Sequence, residues 1–213
     1  MTTDVTRTTV DYLEILQQTA IAYRVTHPSE PTSQRPKAAS VVEALLQAEK
    51  AAKQQRLSYP LAPLLGQWRL CLATGTRKLR QRGGIALGKG FYLPRFTPAY
   101  IGFSDRSNAS APLSNSITIS NQIQLGALKI RFTGPANYLG KKNILAFDFT
   151  HLHITLLGRS LYSSDIRGGK SKPETFEQQS IAKLPFFAFF LVTPDLIAAR
   201  GRGGGLALWI REE

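Results

Sequence analysis

Two histidines at alternate positions, His151 and His153, are the closest this chain comes to a metal-binding pair. Residues two apart on a strand share a face, so both imidazoles could reach one ion. No third ligand sits nearby at matching parity, because Asp148 falls on the opposite face of a regular strand. Histidines that hydrogen-bond locally or face solvent are therefore the better reading. Cys71, the single cysteine, could be a nucleophile only as a thiolate with a basic partner, and its place between Leu70 and Leu72 marks a small buried apolar residue instead. No serine lies in Gly-x-Ser-x-Gly, and no complete phosphate loop ending in Gly-Lys-Ser/Thr occurs. Gly83-Gly84 and Gly88-Lys89-Gly90 precede no helical pattern that could offer an anion-binding amino end. These residues point to no catalytic group, cofactor motif or metal centre, and the chain reads as a binding or scaffolding protein rather than an enzyme.

The densest basic run is Arg77-Lys78-Leu79-Arg80-Gln81-Arg82, followed by Lys89 and Arg95. It belongs to a stretch, 50–147, with fifteen basic residues and one acid, Asp105, for a net +14. Residues 1–49 carry four basic and six acidic side chains, and 148–213 carry eight and seven. So one-sided a field attracts a polyanion, although charge alone names no partner. Arg77, Lys78, Arg80, Arg82, Lys89 and Arg95 could meet anionic lipid while Leu79, Ile85, Leu87, Phe91 and Tyr92 enter the headgroup boundary. The same cations could grip RNA, with Phe91, Tyr92 and Phe96 stacking on bases. No RNA-recognition signature accompanies them, and Arg200-Gly-Arg202-Gly fits a hairpin turn better than an RGG segment. An anionic membrane or a protein surface is favoured over nucleic acid.

The apolar candidates lie toward the end of the chain. In Phe186–Thr193, Phe186, Ala188 and Phe190 alternate against Phe187, Phe189 and Leu191, so aromatic rings occupy both faces of one strand. Phe186, Phe187, Phe189, Phe190 and Leu191 could line an apolar ligand site or simply plug a barrel, and the sequence leaves both open. Gly66-Gln67-Trp68 opens an apolar strand, and Gly205-Leu-Ala-Leu-Trp209-Ile-Arg211 closes the chain. An arginine from the closing region, Arg200 or Arg211, can cover the Trp68 indole and hydrogen-bond free backbone ends. Gly66, Trp68, Arg200 and Arg211 are thus the candidate closure set of a barrel whose first and last strands meet. Register decides between the arginines, since a one-residue shift reverses a side chain's face.

Val10, Leu13, Leu16, Ala20 and Tyr23 predict an amphipathic helix near 9–25, and Val41, Leu45, Ala48 and Ala52 predict a second near 38–56. Three prolines in nine residues, Pro28 to Pro36, make the link 27–36 extended. Ser40-Val-Val-Glu43 has capping-box spacing, with Pro36 in the first turn as the alternative start. Beyond Tyr59-Pro60, short β-branched and aromatic runs separated by Gly, Asn, Ser and Pro predict strands near 66–73, 84–93, 100–103, 116–120, 127–133, 143–157 (continuous or broken in two), 186–193, 196–200 and 206–211. The division is a helical segment, 1–60, and an antiparallel barrel of about eight or nine strands, 61–213. The longest apolar run, Leu184 to Val192, contains Pro185 and falls short of the ~20 residues of a spanning helix. One cysteine fits a reducing compartment, and the acidic N-terminus, with Asp4, Asp11 and Glu14, resembles neither a secretory nor a transit peptide.

Leu64-Leu65-Gly66-Gln67-Trp68-Arg69-Leu70, preceded by a helix and a Pro-spaced link, resembles the opening of the plastid lipid-associated protein, or fibrillin, domain. Thr193-Pro194-Asp195-Leu196-Ile197-Ala198-Ala199-Arg200-Gly201, followed by Gly205 to Arg211, is similar to that family's closing hairpin. The resemblance spans roughly residues 40–211. It implies a lipocalin-like (calycin) barrel and non-enzymatic handling of a bound isoprenoid lipid, a quinone or carotenoid, at a thylakoid or lipid-body surface. A cyanobacterial-type member, peripheral on the cytoplasmic side of the thylakoid, is the expected setting, or the plastid stroma in a eukaryote. Rival expectations are a bilin lyase on a similar barrel, for which the acid-poor middle is unsuited, and a basic RNA-binding or photosynthetic-complex assembly factor.

Overall fold

The computed structural model describes residues 3–24, 35–75, 90–105, 116–166, 176 and 180–212. The candidate cations Arg77, Lys78, Arg80, Arg82 and Lys89, and most of the strand predicted from Gly84, lie outside those residues. Helix α1 spans Thr3–Arg24 and α2 spans Ala38–Gln54. Lys37, in extended conformation, precedes α2 without a side-chain cap, so Ser40 sits within the first turn and the predicted capping box does not form.

Eleven strands follow: β1 (Gly66–Ala73), β2 (Phe91–Tyr92), β3 (Ala99–Asp105), β4 (Ser116–Leu125), β5 (Leu128–Leu139), β6 (Ile144–Phe147), β7 (His151–Leu156), β8 (Arg159–Asp165), β9 (Phe186–Val192), β10 (Leu196–Gly201) and β11 (Leu206–Arg211). Eight of them close a ring, β1-β3-β4-β5-β6-β9-β10-β11, with every pairing antiparallel. The protein is a mainly β, closed eight-stranded barrel with two helices, consistent with a lipocalin-like barrel. Both helices cover its outer face: Leu16, Tyr23, Val41, Leu45 and Ala48 share one core with Leu196, Ala198, Leu206, Leu208 and Ile210. The alternate residues Ile197, Ala199 and Trp209 face inward. Two buried faces explain why β10 and β11 read as continuous apolar runs.

The predicted strand 143–157 is two strands, because the chain crosses between partners at Asp148–Thr150. β6 pairs with the second half of β5, and β7 pairs with the first half, so β5 runs out of the barrel into a four-stranded extension with β4, β7 and β8. The crossing is tight. Asp148 N donates to Pro135 O and Thr150 N to Thr133 O, and a Cβ on Gly134 would lie 1.9 Å from Asp148 O. Only glycine permits that approach.

Candidate functional site

At one end of the barrel Arg211, not Arg200, covers Trp68, with its guanidinium carbon 4.1 Å from the ring centroid. The two residues are cross-strand partners and so share a face. Arg211 Nε donates to Pro194 O (2.6 Å), Nη1 to Leu65 O (3.1 Å) and Nη2 to Pro63 O (2.7 Å), while Trp68 Nε1 donates to Leu64 O (2.8 Å). One side chain thus ties the closing strand to the turn before β1. Gly66 adopts φ +118°, and a Cβ there would come within 2.8 Å of Arg211 Nη1. Arg200 faces outward and donates from Nε to Glu49 Oε1 (2.8 Å) and from Nη1 to Gly204 O (2.7 Å). Its hydrogen bond holds the buried Glu49 carboxyl below the usual range against the opposing pull of burial.

The aromatic strand distributes its rings among three environments. Phe187 stacks on Phe147 (5.1 Å) and meets Trp209 edge-on (5.4 Å), and Phe189 meets Phe103 edge-on (6.0 Å), all inside the barrel. Phe190 and Leu191 join the helix-covered core. A bulge opposite Ala198 and Ala199 takes Leu191 off the parity it would share with Phe187 and Phe189 in a regular strand. Phe186 packs outward with Phe176, Leu184 and Ala146. The five are thus divided between the helix-covered core, an outer cluster and the inner core, which also holds Trp68, Ile101, Ile119, Tyr138, Leu145 and Ile197. An opening of about 250 Å³ lies outside the barrel, floored by Phe186 and Ala188 and walled by Arg200–Gly204. Arg202 pins that wall by donating from Nη1 to Lys183 O (2.7 Å). The sequence signal for it is the glycine run of the hairpin, of which Gly201, Gly203 and Gly204 line the recess.

Arg95, the member of the basic run that falls among the described residues, serves the fold: its Nη2 donates to Ala22 O in the last turn of α1 (2.7 Å). Arg69 and Arg95 flank the Tyr23 ring at 5.3 and 5.9 Å. Arg35 covers the Tyr92 ring at 4.0 Å, and Tyr92 Oη donates to Pro36 O, so that ring face is not open to a base. Cys71 is buried beside this cluster, and burial pushes its thiol up to about 12 despite three nearby arginines. It is a packing residue, not a thiolate.

His151 and His153 share a face as their spacing requires. His151 Nδ1 lies 2.9 Å from Asp165 Oδ1 and Nε2 lies 2.9 Å from Ser163 Oγ, while His153 Nε2 meets Ser160 Oγ at 3.0 Å. Asp165 stands directly across from His151 on β8. A serine–histidine–aspartate chain needs a cleft to hold substrate, and this one lies on a broadly exposed sheet face, where it ties β7 to β8. Among the described residues no three His, Cys, Asp or Glu side chains are grouped to hold a metal.

No family model matches the chain, and no curated protein matches it.

Proposed function

We propose that this protein is a non-enzymatic binder or scaffold for apolar isoprenoid lipid, of quinone or carotenoid type, held at an anionic thylakoid or lipid-body surface as the resemblance to fibrillins implies. The observation that carries the reading is the recess beside the β10–β11 hairpin, with its Phe186 and Ala188 floor. At about 250 Å³ it lies below the roughly 300–1,000 Å³ of sites that enclose a whole ligand. It suits one ring or chain end, with the rest of the lipid lying along the surface. The aromatic and aliphatic side chains packed together inside the barrel favour this surface mode over carriage within it. The basic excess of 50–147 favours an anionic surface as the platform. Among the described residues no helix is long and apolar enough to cross a membrane.

Titration with a short-chain quinone tests the recess, because quinones quench indole emission and Trp209 packs edge-on against Phe187, the neighbour of Phe186. Saturable quenching in the wild type, lost in Phe186→Asp and in Gly203→Leu, supports the reading. Equal quenching in all three proteins contradicts it.

A further inference from the structure

The four-stranded extension has one polar and one apolar face. Gln122, Lys129, Arg131, Thr133, His151 and His153 share one side, and Ile123, Leu125, Ile130, Ile154 and Leu156 share the other. Its outer end is formed by two hairpin turns locked side by side, since Leu128 pairs with Leu156 and Leu157 N donates to Ala127 O (3.1 Å). Leu157 and Gly158 form a two-residue turn with φ +50° and +78°. Such a turn favours Asn-Gly, because a side chain larger than glycine's is strained at positive φ and asparagine tolerates it best. Leucine occupies the position instead and is 78% exposed, so packing gives it nothing in return. Leu125 (47%) and Leu156 (39%) are exposed beside it.

We propose that this paired turn is a membrane-docking tip: Leu157, with Leu125 and Leu156, enters the acyl boundary of an anionic bilayer while Lys129, Arg131 and Arg159 meet its phosphates. All three cations are exposed, and the acid of the extension, Asp165, sits at the far end of β8 beside His151. Exposed leucines rimmed by cations match the charge and polarity profile of an anionic lipid interface. A second copy fits less well, because a two-fold contact through this tip would set the same cations against each other. The proposal rests on the surface association proposed above and assigns it to a place.

The test uses the full chain and flotation with vesicles of phosphatidylcholine alone or mixed equally with phosphatidylglycerol. Leu157→Asn gives the turn its preferred residue, so its melting temperature should equal or exceed that of the wild type, while partition to mixed vesicles falls roughly tenfold. Lys129→Gln with Arg159→Gln should abolish the preference for mixed vesicles, and Leu46→Gln, on the exposed side of α2, should change nothing. Unchanged partition of Leu157→Asn, or an equal loss in Leu46→Gln, overturns the docking tip and leaves surface association standing. A lower melting temperature for Leu157→Asn overturns it too, since the leucine would then serve the fold. Sedimentation showing a dimer that Leu157→Asn dissolves assigns the tip to a second copy and overturns the proposal. Failure of the wild type to float with either vesicle removes the surface association and the tip together.

Discussion

Arg211 shows how much one side chain carries when it finishes a barrel. It satisfies three carbonyls on segments distant in sequence and closes over an indole, so Arg211→Ala should cost about 2–3 kcal/mol. Arg211→Lys, lacking the planar fork, should recover less than half of that by urea denaturation. Equal stability of all three proteins would show that the closure is held by the strands alone. The sequence narrowed the partner of Trp68 to two arginines but could not choose, because the choice is one of parity set by the β1–β11 register. Glu49 makes a different prediction. Its carboxyl is depressed in the folded state, so the stabilisation it supplies is present above its unfolded value and is lost as pH falls through the lower folded one. Glu49→Gln should lower the melting temperature at neutral pH, with the gap to wild type closing as pH falls below the ordinary carboxylate range. A gap independent of pH would mean that the Arg200 pair contributes through shape and not charge.

Among the elements, the two helices and the barrel's buried strands were legible because their apolar periodicity is set by burial against one partner layer. The extension was legible only in part, through the first half of β5 and β7. β8, Arg159-Ser-Leu-Tyr-Ser-Ser-Asp165, is an edge strand exposed along most of its length, so no alternation marks it. β5 was predicted to stop at Thr133, yet the strand runs through Gly134 and Pro135 to Leu139. The reason is tertiary: the backbone of Asp148–Thr150 passes against Gly134. Gly134→Ala should therefore destabilise by about 2–4 kcal/mol, as overpacking against backbone does, and the loss should appear as early hydrogen exchange in β5 and β7. Wild-type stability for Gly134→Ala would show that the crossing loop yields easily.

For the whole molecule, the filled interior and the exposed surface divide the work. Aromatic rings that could have lined a ligand cavity instead pack against one another and against the helices, and the sequence could not foresee this because packing of both strand faces gives the same residue pattern as a pocket. Among the described residues, the recess at the glycine-rich hairpin offers a place to an apolar ligand, and the paired turn beyond the barrel offers one to a lipid surface. Lipid handling by this protein stands or falls on an apolar lipid being held at Phe186. Its most direct test is to purify wild type and Phe186→Asp from a photosynthetic host and analyse organic extracts by mass spectrometry. Quinone or carotenoid in near-stoichiometric amount with the wild type, and lost from the variant, is the predicted result. A bilin, or no small molecule in either extract, would contradict it.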